Sequence, residues 1–130
     1  SDDQARHWYQ IAAAAGDHLG QYALGKTYKD IERWKDYGHA AKWLKQSAEQ
    51  DNVEAQYEYA MLLASGLGVA RNDVEAVYWL HKGAEKWHAP SQYALGEMYA
   101  SGRGVPKDER QAKEWRDKAL ERGYQPSDTP

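Results

Sequence analysis

The sequence contains no cysteine and no phenylalanine, and only two methionines and four prolines among its 130 residues. Without cysteine there is no disulfide, no thiol nucleophile and no cysteine-ligated zinc, although the redox compartment stays open. No apolar run approaches the roughly 18 residues that a membrane span needs. No signal peptide is recognisable, and a mature, cleaved chain has the same appearance. Charge of one sign is missing too: 17 Lys and Arg against 20 Asp and Glu leave a net charge of -3. That balance offers no electrostatic footprint for nucleic acid or an anionic membrane.

Aliphatic bulk is the scarcest ingredient. Leu, Val and Ile number 9, 5 and 2, so with Phe absent these four types supply 16 of 130 residues. So low a count marks disorder when net charge is high, but here the charge is small and the bulk reappears as 10 Tyr, 6 Trp and many Ala. Patterning decides between a disordered chain and a core of aromatics set against alanine.

The pattern is a repeat. Ala-x-x-Trp occurs at Ala5/Trp8, Ala40/Trp43, Ala76/Trp79 and Ala112/Trp115, at intervals of 35, 36 and 36 residues. Gln-Tyr occurs at Gln21-Tyr22, Gln56-Tyr57 and Gln92-Tyr93 with the same spacing. Two markers sharing one period define a repeat array. Each period reads as two helices. In the first, Gln21, Leu24 and Tyr28, like Gln92, Leu95 and Tyr99, stand at i, i+3 and i+7, with Gly25 or Gly96 on the stripe for close helix approach. In the second, Ala and Trp are followed by small residues at i+7 and i+8, as in Ala76, Trp79, Gly83 and Ala84.

Ser1, Asp36, Asn72 and Asp108 each lie four residues before a repeated Ala and are good N-caps. Gln4, Glu75 and Gln111 give three of them the capping-box form. Ser65–Val69 and Ser101–Val105 bring glycines for positive-φ turns. The reading is seven helices, over 2–15, 18–29, 37–50, 53–64, 73–86, 89–101 and 109–122, with a frayed tail from Tyr124. It predicts an all-α, right-handed α/α solenoid superhelix of about three helix-pair repeats plus an unpaired N-terminal helix. Four buried Trp would contribute on the order of 20 kcal/mol gross, so the Trp ladder is expected to be the core. The boundaries are 1–124 as a single repeat domain, made of a half repeat (1–16) and repeats over 17–51, 52–87 and 88–124, with 125–130 a flexible tail.

The run Leu95-Gly96-x-x-Tyr99, Gly102-x-Gly104-Val105, Asp108, Ala112-x-x-Trp115 and Ala119 closely resembles the Sel-one-like repeat, a relative of the tetratricopeptide repeat. Gly66-x-Gly68-Val69, Asn72 and Ala76-x-x-Trp79 match as a second copy, with Tyr59-Ala60 in place of Leu-Gly and Leu63 in place of Tyr. Leu24-Gly25-x-x-Tyr28 and Ala40-x-x-Trp43 match as a first copy, whose 30–35 loop lacks the glycines. The resemblance implies a non-enzymatic scaffold, mostly of bacterial envelope, secretion, virulence and stress-related systems, that holds a protein or peptide partner along a concave face. It leaves bacterial periplasm and cytoplasm both open.

No catalytic, metal or cofactor constellation emerges. The Gly66 and Gly102 pairs lack a third glycine and a preceding strand, so they read as helix-connecting turns rather than a phosphate cradle. The five histidines show no i, i+4 pair, and no serine stands in a nucleophile elbow. By the resemblance, the groove-facing positions are Tyr22, Lys26 and Lys29, then Tyr57, Met61 and Ala64, then Tyr93, Glu97 and Ala100. The three tyrosines either form an amphipathic contact strip or pack between neighbouring first helices. Glu54 and Glu58 add acidic polarity to the same face. Trp34 and Trp87, outside the Ala-x-x-Trp register, are candidate loop contacts. Helix 2–15 has no first-helix mate in the sequence, so unless another segment or subunit covers it the face of Trp8 is expected to be open. That points to a fragment of a longer array, an end that self-associates or a cleaved precursor. The expected function is a protein-interaction scaffold; an immunity or inhibitor protein for a secreted bacterial effector is the alternative, and a cell-wall glycan binder or hydrolase a more remote one.

Overall fold

A computed structural model describes residues 2–32 and 35–126, with Asp2 described by its backbone alone. Among these residues there are seven α-helices of 13 residues each and no strand: α1 (Asp2–Ala14), α2 (His18–Asp30), α3 (Tyr37–Glu49), α4 (Val53–Ser65), α5 (Asp73–Glu85), α6 (Ala89–Ser101) and α7 (Glu109–Glu121). Every helix falls within one residue of the limits expected from the repeat. Packing divides the chain into two compact units, Ser1–Arg71 with α1 to α4 and Asn72–Pro130 with α5 to α7.

The caps act as their spacing predicts. Asp36 accepts from the His39 N–H at 3.0 Å, Asn72 from the Glu75 N–H at 3.0 Å, and Asp108 from the Arg110 and Gln111 N–H groups at 3.1 Å. Each satisfies donors that a helix start leaves unpaired. The expected cap at Ser1 lies outside the described residues.

The core is not the Trp ladder. Only Trp79 is buried, at 6% exposure; Trp43 and Trp115 are half-buried, and Trp8 is 66% exposed. The largest fully buried side chains are Leu24, Leu44, Leu62, Leu80 and Leu95, with Gln56 and Gln92 beside them. The reason is angular. The buried stripe of α3 runs Ala40, Ala41, Leu44, Ser47 and Ala48, so the inward position is i+4 from Ala and the Trp at i+3 falls on its edge. At that i+4 position α5 has Leu80, whereas α1 has Tyr9 and α7 has Arg116. Trp79 is drawn fully inside in part because its indole N–H finds the Glu75 carboxylate at 3.2 Å. The five leucines contribute on the order of 10 kcal/mol gross. On α1, Trp8 and Ile11 are exposed.

The stripe glycine is a packing device. A Cβ on Gly25 would stand 2.7 Å from Leu44 Cγ, and one on Gly96 2.7 Å from the Arg116 stem and 2.9 Å from the Ala112 carbonyl. In the loops, Gly66 and Gly102 end α4 and α6 in the left-handed conformation. The second glycine of each pair serves a different end. Gly68 lies against the Tyr37 backbone and Gly104 against the Asp73 backbone, where no side chain fits. The glycine pairs are thus helix-connecting turns.

All four second helices close the same way. At the end of α7, Tyr124 N–H donates to the Ala119 carbonyl and Gly123 N–H to that of Leu120, which is the Schellman arrangement. The same pair of bonds ends α1 at Gly16, α3 at Asp51 and α5 at Trp87. The left-handed residue is therefore Gly16, Asp51, Trp87 and Gly123 in turn, with φ of 89°, 67°, 64° and 84°. The reversal at Gly123 corrects the expectation that the tail frays from Tyr124: it folds Tyr124 back, buried, onto Tyr93.

Candidate interaction surfaces

Gln-Tyr, so conspicuous in the sequence, is split between two tasks. The glutamine is structural. Gln56 and Gln92 are fully buried, and each donates to a carbonyl eight residues back, Ala48 and Ala84, at 3.2 Å. Gln21 reaches the Ala13 carbonyl at 3.5 Å in the same way. These bonds tie the start of each first helix to the end of the helix before it. The outer oxygen is treated differently along the chain: Gln21 Oε1 accepts from Gln50 Nε2 at 2.8 Å, while Gln56 and Gln92 Oε1 are buried with no hydrogen-bond partner.

In the first unit, the predicted residues of α2 and α4 meet around Glu58. Lys26 and Lys29 reach its carboxylate at 3.3 and 3.1 Å, and both also contact Asp30, at 2.9 and 3.0 Å. Burial acts to lower the pKa of each lysine, but the Asp30 hydrogen bond and the Glu58 charge outweigh it and hold both above the ordinary value. Burial pushes Asp30 up, and hydrogen bonds from Lys26 and Lys29 more than reverse that, leaving its carboxyl below the usual range. Tyr22 is half-buried, and burial raises its phenol. Tyr22 and Lys26 line an open cleft of about 350 Å³ between α1 and α2, together with Tyr9, Thr27, Asp30 and Ile31. Met61 and Ala64 are half-buried on α4.

Tyr57 departs from the expectation of an open strip. It is only 7% exposed, because it sits in the fully buried run of α4 from Ala55 to Ala60. In the second unit, Tyr93 is half-buried with one face against Tyr124 at 5.1 Å. Glu97 is exposed and accepts from Arg116 at 3.3 Å, and Ala100 is half-buried. The three tyrosines thus differ in availability: Tyr22 and Tyr93 offer partial faces and Tyr57 almost none. Glu58 is buried as the anionic centre of an ion-pair cluster rather than standing open on the face.

Of the two loop tryptophans, Trp34 lies outside the described residues. Trp87 is 58% exposed and holds the left-handed turn after α5. A bulky residue there costs about 1–2 kcal/mol relative to glycine. Trp87 lines a cleft of about 210 Å³ with Ala84, Glu85, Gln92, Trp115 and Lys118. Among the described residues no group of His, Asp and Glu is arranged to hold a metal ion, and no helix is long and apolar enough to cross a membrane.

The sequence matches the family described as Sel1 repeat four times, over residues 1–17, 18–52, 53–86 and 89–124. Among solved structures, a Sel1 repeat protein from Oxalobacter formigenes superposes with a TM-score of 0.85 at 35% identity, over 90% of each chain. A protective antigen of uropathogenic Escherichia coli strains, described as displaying an SLR fold, gives a TM-score of 0.91 at 33% identity, over 95% of this chain and 27% of that one. Cysteine-rich protein B of Helicobacter pylori, at 18% identity and a TM-score of 0.73, shares the fold. An F-box protein of Arabidopsis thaliana is 41% identical over 64 residues; the match spans 49% of this chain and 18% of that protein. The chain belongs to the Sel1 repeat family, whose members are generally non-catalytic modules for protein–protein interaction.

Proposed function

We propose that this chain is a non-enzymatic interaction module that binds a partner polypeptide along the faces of its first helices, the concave side by family resemblance. Tyr22, Lys26, Lys29 and Met61 are the main contacts of the first unit; Tyr93 and Glu97 are those of the second, and Tyr57 adds an edge. The observation that carries this reading is the cluster around Glu58. Two lysines from α2 and one carboxylate from α4 hold the two faces in register, beside a cleft lined by Tyr9 and Tyr22. Paired charges next to a half-buried aromatic give a surface that can orient a segment of mixed polarity.

Affinity capture from the source organism supplies the partner, and titration of the combined variant Tyr22→Ala, Met61→Ala and Tyr93→Ala tests the surface. Binding should weaken by at least tenfold with helicity unchanged. Unchanged affinity in a folded variant would sink the assignment. Self-association is a second reading, favoured by the open Trp8 and Ile11 on α1. A concentration-dependent mass that falls to the monomer value in Trp8→Glu supports it, and a monomeric wild type removes it.

A further inference from the structure

The cleft between Trp87 and Trp115 belongs to the second unit and is distinct from the face proposed above. Its origin shows when the same repeat positions are followed through both units. In the first unit, Gln21 is closed off from α3: it donates to Gln46 Oε1 at 3.3 Å and accepts from Gln50 Nε2 at 2.8 Å. The corresponding residues of α7 and its cap are Lys118 and Arg122. They do not close onto Gln92. The Lys118 ammonium lies 4.5 Å over the Trp115 ring and the Arg122 guanidinium 5.9 Å over the Trp87 ring, which are cation–π positions. What is left is a cleft of about 210 Å³ with indoles in its walls. Gln92 lines it, 0% exposed, its Oε1 without a hydrogen-bond partner.

This site has one unmet directional demand, a hydrogen-bond donor for a buried amide oxygen. The charged groups at its rim are engaged: Glu85 lies 3.6 Å from the His81 ring, and Lys118 covers Trp115. Both cations are held over indole rings and the carboxylate lies beside His81, so a neutral ligand fits without displacing any of them. A sugar ring, bearing hydroxyls on all sides, needs more partners than a single acceptor provides. A flat apolar body tipped by one donor fits. A phenol carries its O–H at the far end of the ring, where it reaches a floor while the ring lies against the walls; an indole carries its N–H on the flank. The cost of holding Trp87 in a left-handed turn, where other repeats use Gly16 and Gly123, fits a residue kept for contact.

We propose that the Trp87–Trp115 cleft is a binding site for a tyrosine side chain of a partner polypeptide, its ring lying between the indole walls and its phenol hydrogen donated to Gln92 Oε1. The site does not depend on the Tyr22–Met61 face.

The test is NMR titration of the whole chain, following the Trp87 and Trp115 indole N–H signals, with N-acetyl-tyrosinamide, N-acetyl-phenylalaninamide and methyl β-glucopyranoside as probes. The tyrosine amide should bind in the millimolar range and about fivefold or more tighter than the phenylalanine amide, the factor expected of one hydrogen bond. Two variants bear on the site without touching the fold. Trp87→Gly places at this turn the glycine found at Gly16 and Gly123 and should lose binding. Lys118→Gln with Arg122→Gln copies the closure seen around Gln21 and should abolish the preference for tyrosine. Equal binding of the two aromatic amides, tighter binding of the glucoside, or no shift at either indole would overturn the proposal.

Discussion

Gln56 donates to the carbonyl of Ala48 at 3.2 Å, eight residues back along the chain. The bond spans the turn between α3 and α4, and both residues are fully buried. Gln56→Ala removes the bond, leaves the Ala48 carbonyl with the Asp51 N–H as its remaining donor, and opens a cavity. Urea unfolding should show a loss of about 2–4 kcal/mol. A loss under 1 kcal/mol would mean that the clip is incidental.

Gly25 should resist alanine. Alanine raises helix propensity by about 1 kcal/mol, but its Cβ would stand 2.7 Å from Leu44 Cγ and 3.3 Å from the Ala40 carbonyl. Overpacking of that kind costs about 1–3 kcal/mol. Gly25→Ala should therefore be destabilising by up to about 2 kcal/mol, read from the denaturation midpoint. A stabilised variant would show that α2 and α3 move apart at no cost.

Trp87 predicts the opposite sign. Replacing it by glycine relieves a left-handed bulky residue at φ 64° and removes no buried side chain. Trp87→Gly should raise stability by about 1 kcal/mol, seen as a higher melting temperature. Gly123→Trp, at the same turn of the next repeat, should lower it by a similar amount.

Acid tests the cluster around Glu58. The folded pKa of Asp30 lies below its ordinary value of 3.8 because Lys26 and Lys29 outweigh its burial. Its contribution is present above about pH 4 and is lost as the pH falls through the lower folded value. Asp30→Asn should flatten that part of the acid limb. Because Asp30 is nearly half exposed, the effect should stay below about 1 kcal/mol and shrink in salt. At the other end, the lysine pKa values are raised. Their contribution holds below about pH 10.5 and is lost as pH rises through the folded values, a limb that Lys26→Met should flatten. Identical profiles for variants and wild type would remove the cluster from the stability account.

How far these features were visible in the chain depends on what makes them. Helix limits and caps are local, so Asp36, Asn72 and Asp108 are readable from spacing alone. The stripe glycines are readable too, because Gly25 and Gly96 interrupt otherwise helical segments at one repeat position. The core is harder. Trp at i+3 is easy to see, while the inward i+4 position changes from Tyr9 through Leu44 and Leu80 to Arg116, so that only the middle two repeats share a residue there. Gln21, Gln56 and Gln92 stand out as markers, but their partner carbonyls lie across a turn, beyond any helical period. The ion pairs of Lys26 and Lys29 with Glu58 join residues 32 and 29 apart and follow only from packing. Trp87 had a legible signal: its repeat-mates Gly16, Asp51 and Gly123 are residue types suited to a left-handed turn, which marks tryptophan there as costly.

The four helix reversals are set by two main-chain bonds each, and those bonds ask nothing of the side chain they carry. One backbone path thus presents a bare turn at Gly16, a carboxylate at Asp51, an indole at Trp87 and a bare turn again at Gly123. Specificity can change at such a corner by a single codon, with no rearrangement of the interior. The same corners are natural graft points, where a new recognition group can be installed at a known strain penalty and removed again by returning to glycine.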